Sequence, residues 1–130
     1  MRFFKLLKFH YIYCMKKIYF LKTCDTCTRI LKSINLEGFT IQEIKTEPIT
    51  VAQLEEMHAL SGSYESLFSR RAKKYKQMDL KNQELSEKDI RQLILDEYTF
   101  LKRPVIIVDS EIFIGNSKKN VEALIEKLSI

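Results

Sequence analysis

Cysteine, histidine, glycine and proline are all scarce in this chain: three Cys, two His, three Gly and two Pro in 130 residues. Three cysteines are too few for a disulfide scaffold, and an odd number argues against one. That usage points to a reducing, cytoplasmic setting, in which a close cysteine pair turns toward catalysis or sensing. No glycine-rich loop cradles a phosphate, and no Ser/His/Asp constellation is present. Zinc wants about four ligands. Beyond Cys24 and Cys27 only Cys14, His10 and His58 remain, none in a second Cys-x-x-Cys or a His-x-x-x-His spacing. No resident metal or bound cofactor is expected. Internal repeats and low-complexity segments are absent too.

What is present is ordinary for a soluble globular protein. The chain is 45% apolar and 30% charged, which excludes disordered and fibrous classes and supports one domain with a hydrophobic core. The net charge of +5 is unevenly spread. Residues 1–14 carry Arg2, Lys5 and Lys8 and no acid, so the remainder is only slightly basic. Direct nucleic-acid binding is not supported by so local an excess. Residues 1–14 are apolar and basic, yet Lys5 and Lys8 interrupt the apolar stretch and no small-residue cleavage site follows. They are too short to span a membrane. Met15-Lys16-Lys17-Ile18 reads as a natural start, so residues 1–14 are expected to be an N-terminal extension from a spurious upstream start. A membrane-surface or interaction tail is the alternative.

Along residues 15–130 the pattern alternates between strand and helix. Lys17 to Leu21 reads as a central, buried strand. A helix begins near Asp25, with Ile30, Leu31 and Ile34 on one face and Gly38 as its stop signal. Thr40 to Ile44 alternates as a second strand, and Pro48 marks a break. Thr50-Val51-Ala52-Gln53 is a capping box for a helix carrying Leu54, Met57 and Leu60 and ending at Ser61-Gly62-Ser63. Residues 64–82 read as short helical pieces. Ser86 caps a helix with Ile90, Leu93 and Ile94 that reaches Glu97-Tyr98. Val105 to Val108 and Glu111 to Ile114 form a hairpin across Asp109-Ser110. Val121, Leu124, Ile125 and Leu128 recur at 3.6 spacing in a last helix. The order β-α-β, several helices, then β-β-α predicts a thioredoxin-like mixed sheet with a helical insertion at about residues 50–98. Strands one and two are parallel neighbours if they share the sheet.

Cys24-Asp25-Thr26-Cys27 carries the chemistry. A thiol at the first turn of a helix meets unpaired N–H groups and the positive end of the dipole, and both favour thiolate. Cys24 is the better placed nucleophile, and Cys27, one turn on, suits the resolving role. Asp25 opposes the thiolate, while Arg29 and Arg103 favour it if they approach. Arg103-Pro104 precedes an apolar strand. It is either an ordinary trans proline beside a solvated Arg, or a cis-Pro loop that sets Arg103 beside the cysteine as an oxyanion-binding fork. The run Arg70-Arg71-Ala72-Lys73-Lys74-Tyr75-Lys76 reads as a solvated helix face, with anion binding by Arg70 as the alternative. His58 lies near an apolar helical face and reads as packing.

Taken together, Tyr19 to Arg29, Leu67-Phe68-Ser69-Arg70, Leu101 to Ile107 and Ile114-Gly115-Asn116 resemble the arsenate-reductase-like family. Glutaredoxin-coupled arsenate reductases, Spx-type transcription regulators and YffB-like reductases belong to it, and the resemblance spans roughly residues 16–128. It implies Cys24 as nucleophile and Arg70 and Arg103 as the arginines that bind an oxyanion. It also implies glutathione or another thiol as electron donor, with a glutaredoxin- or thioredoxin-type reductant as partner. The reductases usually carry a third arginine after the hairpin-exit glycine, where this chain has Asn116. Cys27 gives it the Cys-x-x-Cys typical of Spx. A thiol–disulfide or glutathione-linked reductase acting on a small anionic or thiol substrate therefore fits better than arsenate reduction. The alternative is an Spx-type redox-sensing regulator that binds RNA polymerase.

Overall fold

The computed structural model describes residues 15–129, so the expectations for residues 1–14, an extension or a tail, lie outside the described residues. In chain order the elements are β1 (Lys16–Phe20), α1 (Asp25–Lys32), β2 (Thr40–Glu43), α2 (Val51–Ser61), α3 (Lys73–Gln77), α4 (Glu87–Asp96), β3 (Val105–Val108), β4 (Glu111–Ile114) and α5 (Lys118–Leu128). Short 3-10 turns lie at Glu65–Leu67, Leu80–Asn82 and Tyr98–Phe100. The chain divides into two compact units, residues 15–43 with 103–129 and residues 44–102.

The first unit is built on a four-stranded sheet in the order β2-β1-β3-β4. β1 runs parallel to β2 and antiparallel to β3, and β3 and β4 form the antiparallel hairpin. This is the mixed sheet the sequence pattern predicts. All four residues of β3 are buried, as an uninterrupted Val-Ile-Ile-Val run requires of an inner strand. Ile18, Ile106, Val108 and Phe113 from the sheet join Ile30 and Leu31 of α1 and Leu124 of α5 in one core cluster.

Two local expectations are corrected here. Gly38 does not stop α1. The helix ends at Lys32, where the Ser33 N–H and hydroxyl both donate to the Ile30 carbonyl at 3.0 and 2.6 Å. That satisfies an end carbonyl without a glycine. Gly38, at φ +83°, instead turns the chain into β2. Ile125, read onto the apolar stripe of the last helix, is 41% exposed. The core accepts Leu124, Val121 and Leu128, and an i+1 neighbour of Leu124 is rotated about 100° from it.

In the second unit, α2 starts with the expected capping box. The Gln53 N–H donates to Thr50 Oγ1, and the Thr50 N–H to Gln53 Oε1, each at 3.0 Å. α2 ends at Gly62, whose N–H donates to the His58 carbonyl at 2.8 Å and whose left-handed φ of +87° turns the following chain out of the helix. Ser86 and Asp89 form a second box at the start of α4. Phe68 bridges Leu101, flanked by Ser69 N–H to Phe100 O at 2.7 Å and Lys102 N–H to Leu67 O at 2.8 Å. His58 stacks on Tyr64 with ring centroids 4.1 Å apart, the packing role its position suggests.

Candidate active site

The site is assembled at one end of the sheet. β1 stops at Phe20, and the turn Leu21-Lys22-Thr23-Cys24 closes with Cys24 N–H donating to Leu21 O at 3.0 Å. Cys24 is the N-cap of α1 in extended backbone, φ −93° and ψ 107°. Its carbonyl accepts the Thr28 N–H at 3.1 Å and the Thr28 hydroxyl at 3.2 Å. The cysteine is thus fixed where helix N–H groups and the dipole favour an anion. Cys24 is half-exposed, and Cys27, on the first turn of α1, is fully buried.

The two thiols are tuned in opposite directions. Partial burial works against the Cys24 anion. The backbone N–H and thiol of Cys27 and the Arg103 guanidinium outweigh it, and Cys24 sits below the usual thiol range. Burial pushes Cys27 up to about 12, and the neighbouring Cys24 sulfur adds to the rise. One thiol therefore favours its anion and the other keeps its proton.

Strand register brings Arg103 there. Val105, the first residue of β3, pairs with Tyr19 of β1, so the preceding Arg103-Pro104 step lies beside the end of β1. The Arg103–Pro104 peptide is cis, and Pro104 is buried. On the other side Val105 pairs with Ile114, and the Pro104 carbonyl accepts the Gly115 N–H at 2.9 Å. Asn116 follows at this same end of the sheet and is exposed. Cys24, Cys27, Arg103, Pro104 and Asn116 are thereby brought to one end of the sheet from three separate stretches. Arg70 belongs to the second unit. There its Nη2 pairs with Glu65 Oε1 at 3.1 Å and its guanidinium lies 5.6 Å from the centre of the Phe68 ring.

One residue escaped sequence reasoning. Glu43, at the end of β2, accepts the Lys22 N–H on Oε2 at 2.9 Å. Its partner is 21 residues away, and only the parallel register of Phe20 with Glu43 makes the pair adjacent. Among the described residues no group of three or more His, Cys, Asp or Glu side chains could hold a metal ion. No described helix is long and apolar enough to cross a membrane.

Comparison with known proteins extends this geometry. The ArsC family pattern matches residues 19–124. The global transcriptional regulator Spx of Lactiplantibacillus plantarum is 20% identical over 113 residues, which span 85% of this chain and 86% of the regulator. Among solved structures, an ArsC-family-related protein of Bacteroides fragilis superposes with a TM-score of 0.72 at 22% identity, covering 84% of this chain and 96% of that one. An arsenate reductase of Vibrio cholerae gives 0.66 at 17% identity, covering 86% and 96%. At these identities the structural likeness carries the fold, which is thioredoxin-like. The family match covers most of the chain, from β1 through Leu124 of α5, and on that ground the chain belongs to the ArsC family.

Proposed function

We propose that this protein is a thiol-dependent oxidoreductase of the reducing cytoplasm, with Cys24 as nucleophile. The observation that carries the reading is Cys24 at the N-cap of α1, one turn from the buried Cys27 and at the end of the sheet to which strand register brings Arg103, an arrangement that favours its anion. Arg103 supplies a fixed positive fork for an anionic group on the substrate and meets charge as it develops. Asn116, at the same sheet end, is a neutral hydrogen-bonding group for that substrate. Arg70 is the second anion-binding residue that the family resemblance assigns.

A small disulfide is the substrate in this scheme. Cys24 thiolate attacks one substrate sulfur, forming a Cys24 mixed disulfide and releasing the other half as thiolate. That step removes the negative charge from Cys24, which had helped to hold the proton on Cys27. Cys27 then gives up its proton and attacks the Cys24 sulfur, releasing the second half of the substrate. The protein is left with a Cys24–Cys27 disulfide, oxidised by two electrons. A glutaredoxin- or thioredoxin-type dithiol, or two molecules of glutathione, returns those electrons. Where glutathione resolves instead, it attacks the Cys24 adduct directly and Cys27 stays a thiol.

The test is turnover of a small mixed disulfide, and separately of arsenate, with a glutathione–glutaredoxin couple. Cys24→Ser is expected to abolish turnover, and Arg103→Lys to raise KM for the anionic substrate more than for a neutral one. Full activity in Cys24→Ser would end the reading. Full multiple turnover by Cys27→Ser, dependent on glutathione, would assign resolution to glutathione.

The likeness to Spx along 86% of that regulator favours one other reading. In it the Cys24–Cys27 disulfide is a switch and RNA polymerase is the partner. Pull-down from reduced and oxidised lysates separates the two, since recovery of no polymerase in either state removes the regulator.

A further inference from the structure

We propose that Glu43 is a positioning residue for Cys24, holding the nucleophile's turn through the backbone of Lys22. The inference rests on Cys24 being the reactive thiol and adds the part that holds it in place. Lys22 and Thr23 are exposed and lie between the end of β1 and the start of α1, where a short turn has freedom to move. Its internal closure is the Cys24 N–H to Leu21 O bond. From outside, the Glu43 carboxylate takes the Lys22 N–H at 2.9 Å.

Glu43 is well placed for the task. It is the last residue of β2 and lies in register with Phe20, the last residue of β1. The side chain therefore springs from a strand already fixed by the sheet and reaches across to the residue two before Cys24. A carboxylate makes a stronger acceptor for a backbone N–H than a neutral group does. The sulfur's relation to the Cys27 N–H and to Arg103 depends on where this turn sits. A loosened turn weakens all the contacts that stabilise the anion at once.

Iodoacetamide labelling of the full-length protein over a pH series, read at Cys24 by mass spectrometry, tests this. Glu43→Ala is expected to slow labelling at neutral pH about two- to tenfold, the usual worth of one hydrogen bond, and to move the midpoint upward. Glu43→Gln, which keeps an acceptor oxygen, restores most of the rate. Lys22→Pro removes the donor at a turn position where Pro is favoured. It is expected to reproduce the Glu43→Ala change, and it decides the matter alone if Glu43→Ala does not fold. Combining the two should add nothing to either. A wild-type labelling profile in Glu43→Ala, or losses that multiply in the double variant, would overturn the proposal. A wild-type Cys24 that labels like an ordinary thiol would instead remove the nucleophile reading, whatever Glu43 does.

Discussion

Cys24 and Cys27 lie one helical turn apart and differ in almost every chemical respect. Cys24 is half-exposed and held below the usual thiol range, whereas Cys27 is buried and raised to about 12. Of the two described cysteines, alkylation at neutral pH is therefore expected at Cys24, with Cys27 labelled only after denaturation. Replacing Cys27 with Ala removes one of the groups that favour the Cys24 anion, so the labelling midpoint should rise partway and no further, since Arg103 remains. The raised Cys27 also couples to stability. Its proton is kept in the fold and given up more readily in the unfolded chain. The stabilisation is thus complete below the unfolded thiol value and is lost as pH climbs toward about 12. Chemical denaturation at pH 8 and pH 11 should show a smaller loss for Cys27→Ala than for the wild type. At this scale the sequence was informative where the chemistry is local, as with Cys24, Cys27 and the choice it left open at Pro104. It was silent on Glu43, because nothing in a Thr-Ile-Gln-Glu strand marks a carboxylate that serves a turn 21 residues earlier.

Element boundaries follow from caps more than from apolar periodicity. The box at Thr50 and Gln53 was readable because its reciprocal bonds join residues three apart. The Ser33 hydroxyl that ends α1 competes with a more conspicuous glycine five residues on, and the glycine misleads. Ser86 holds the start of α4, accepting the Asp89 N–H at 3.1 Å. Ser86→Ala is expected to cost about 1 kcal/mol and to lower Tm by about 3–6 °C, measured by thermal unfolding. Gly62 ends α2 in left-handed backbone with nothing within 4 Å of an added Cβ. The cost of Gly62→Ala is therefore conformational, about 1 kcal/mol, with no steric clash to add to it. A much larger loss would show that the C-cap does more than terminate the helix.

On the scale of the whole molecule, the sheet converts distant stretches into a single site. Three pairings, β1 with β2, β1 with β3 and β3 with β4, carry Glu43, Arg103-Pro104 and Asn116 to the end where Cys24 sits. The β-α-β and β-β-α halves were legible because each strand run is bounded by turn residues. Cys24, Cys27 and the alternative at Arg103-Pro104 could be named from the residues themselves, but the pairing that adds Glu43 to them could not, since register is a property of the folded sheet. The sheet's integrity should therefore govern reactivity as well as stability. Ile106, 1% exposed in the core cluster, is expected to cost about 2–5 kcal/mol on truncation to Ala, read by denaturant unfolding. The central claim, a Cys24 thiol that gives up its proton more readily than an ordinary one, is tested most directly by titrating thiolate absorbance in the wild type against Cys24→Ser. The account predicts a transition below the ordinary thiol value of about 8.5 that disappears in the variant. Every wild-type transition lying at or above that value, with none below it lost on substitution of Cys24, would contradict the account.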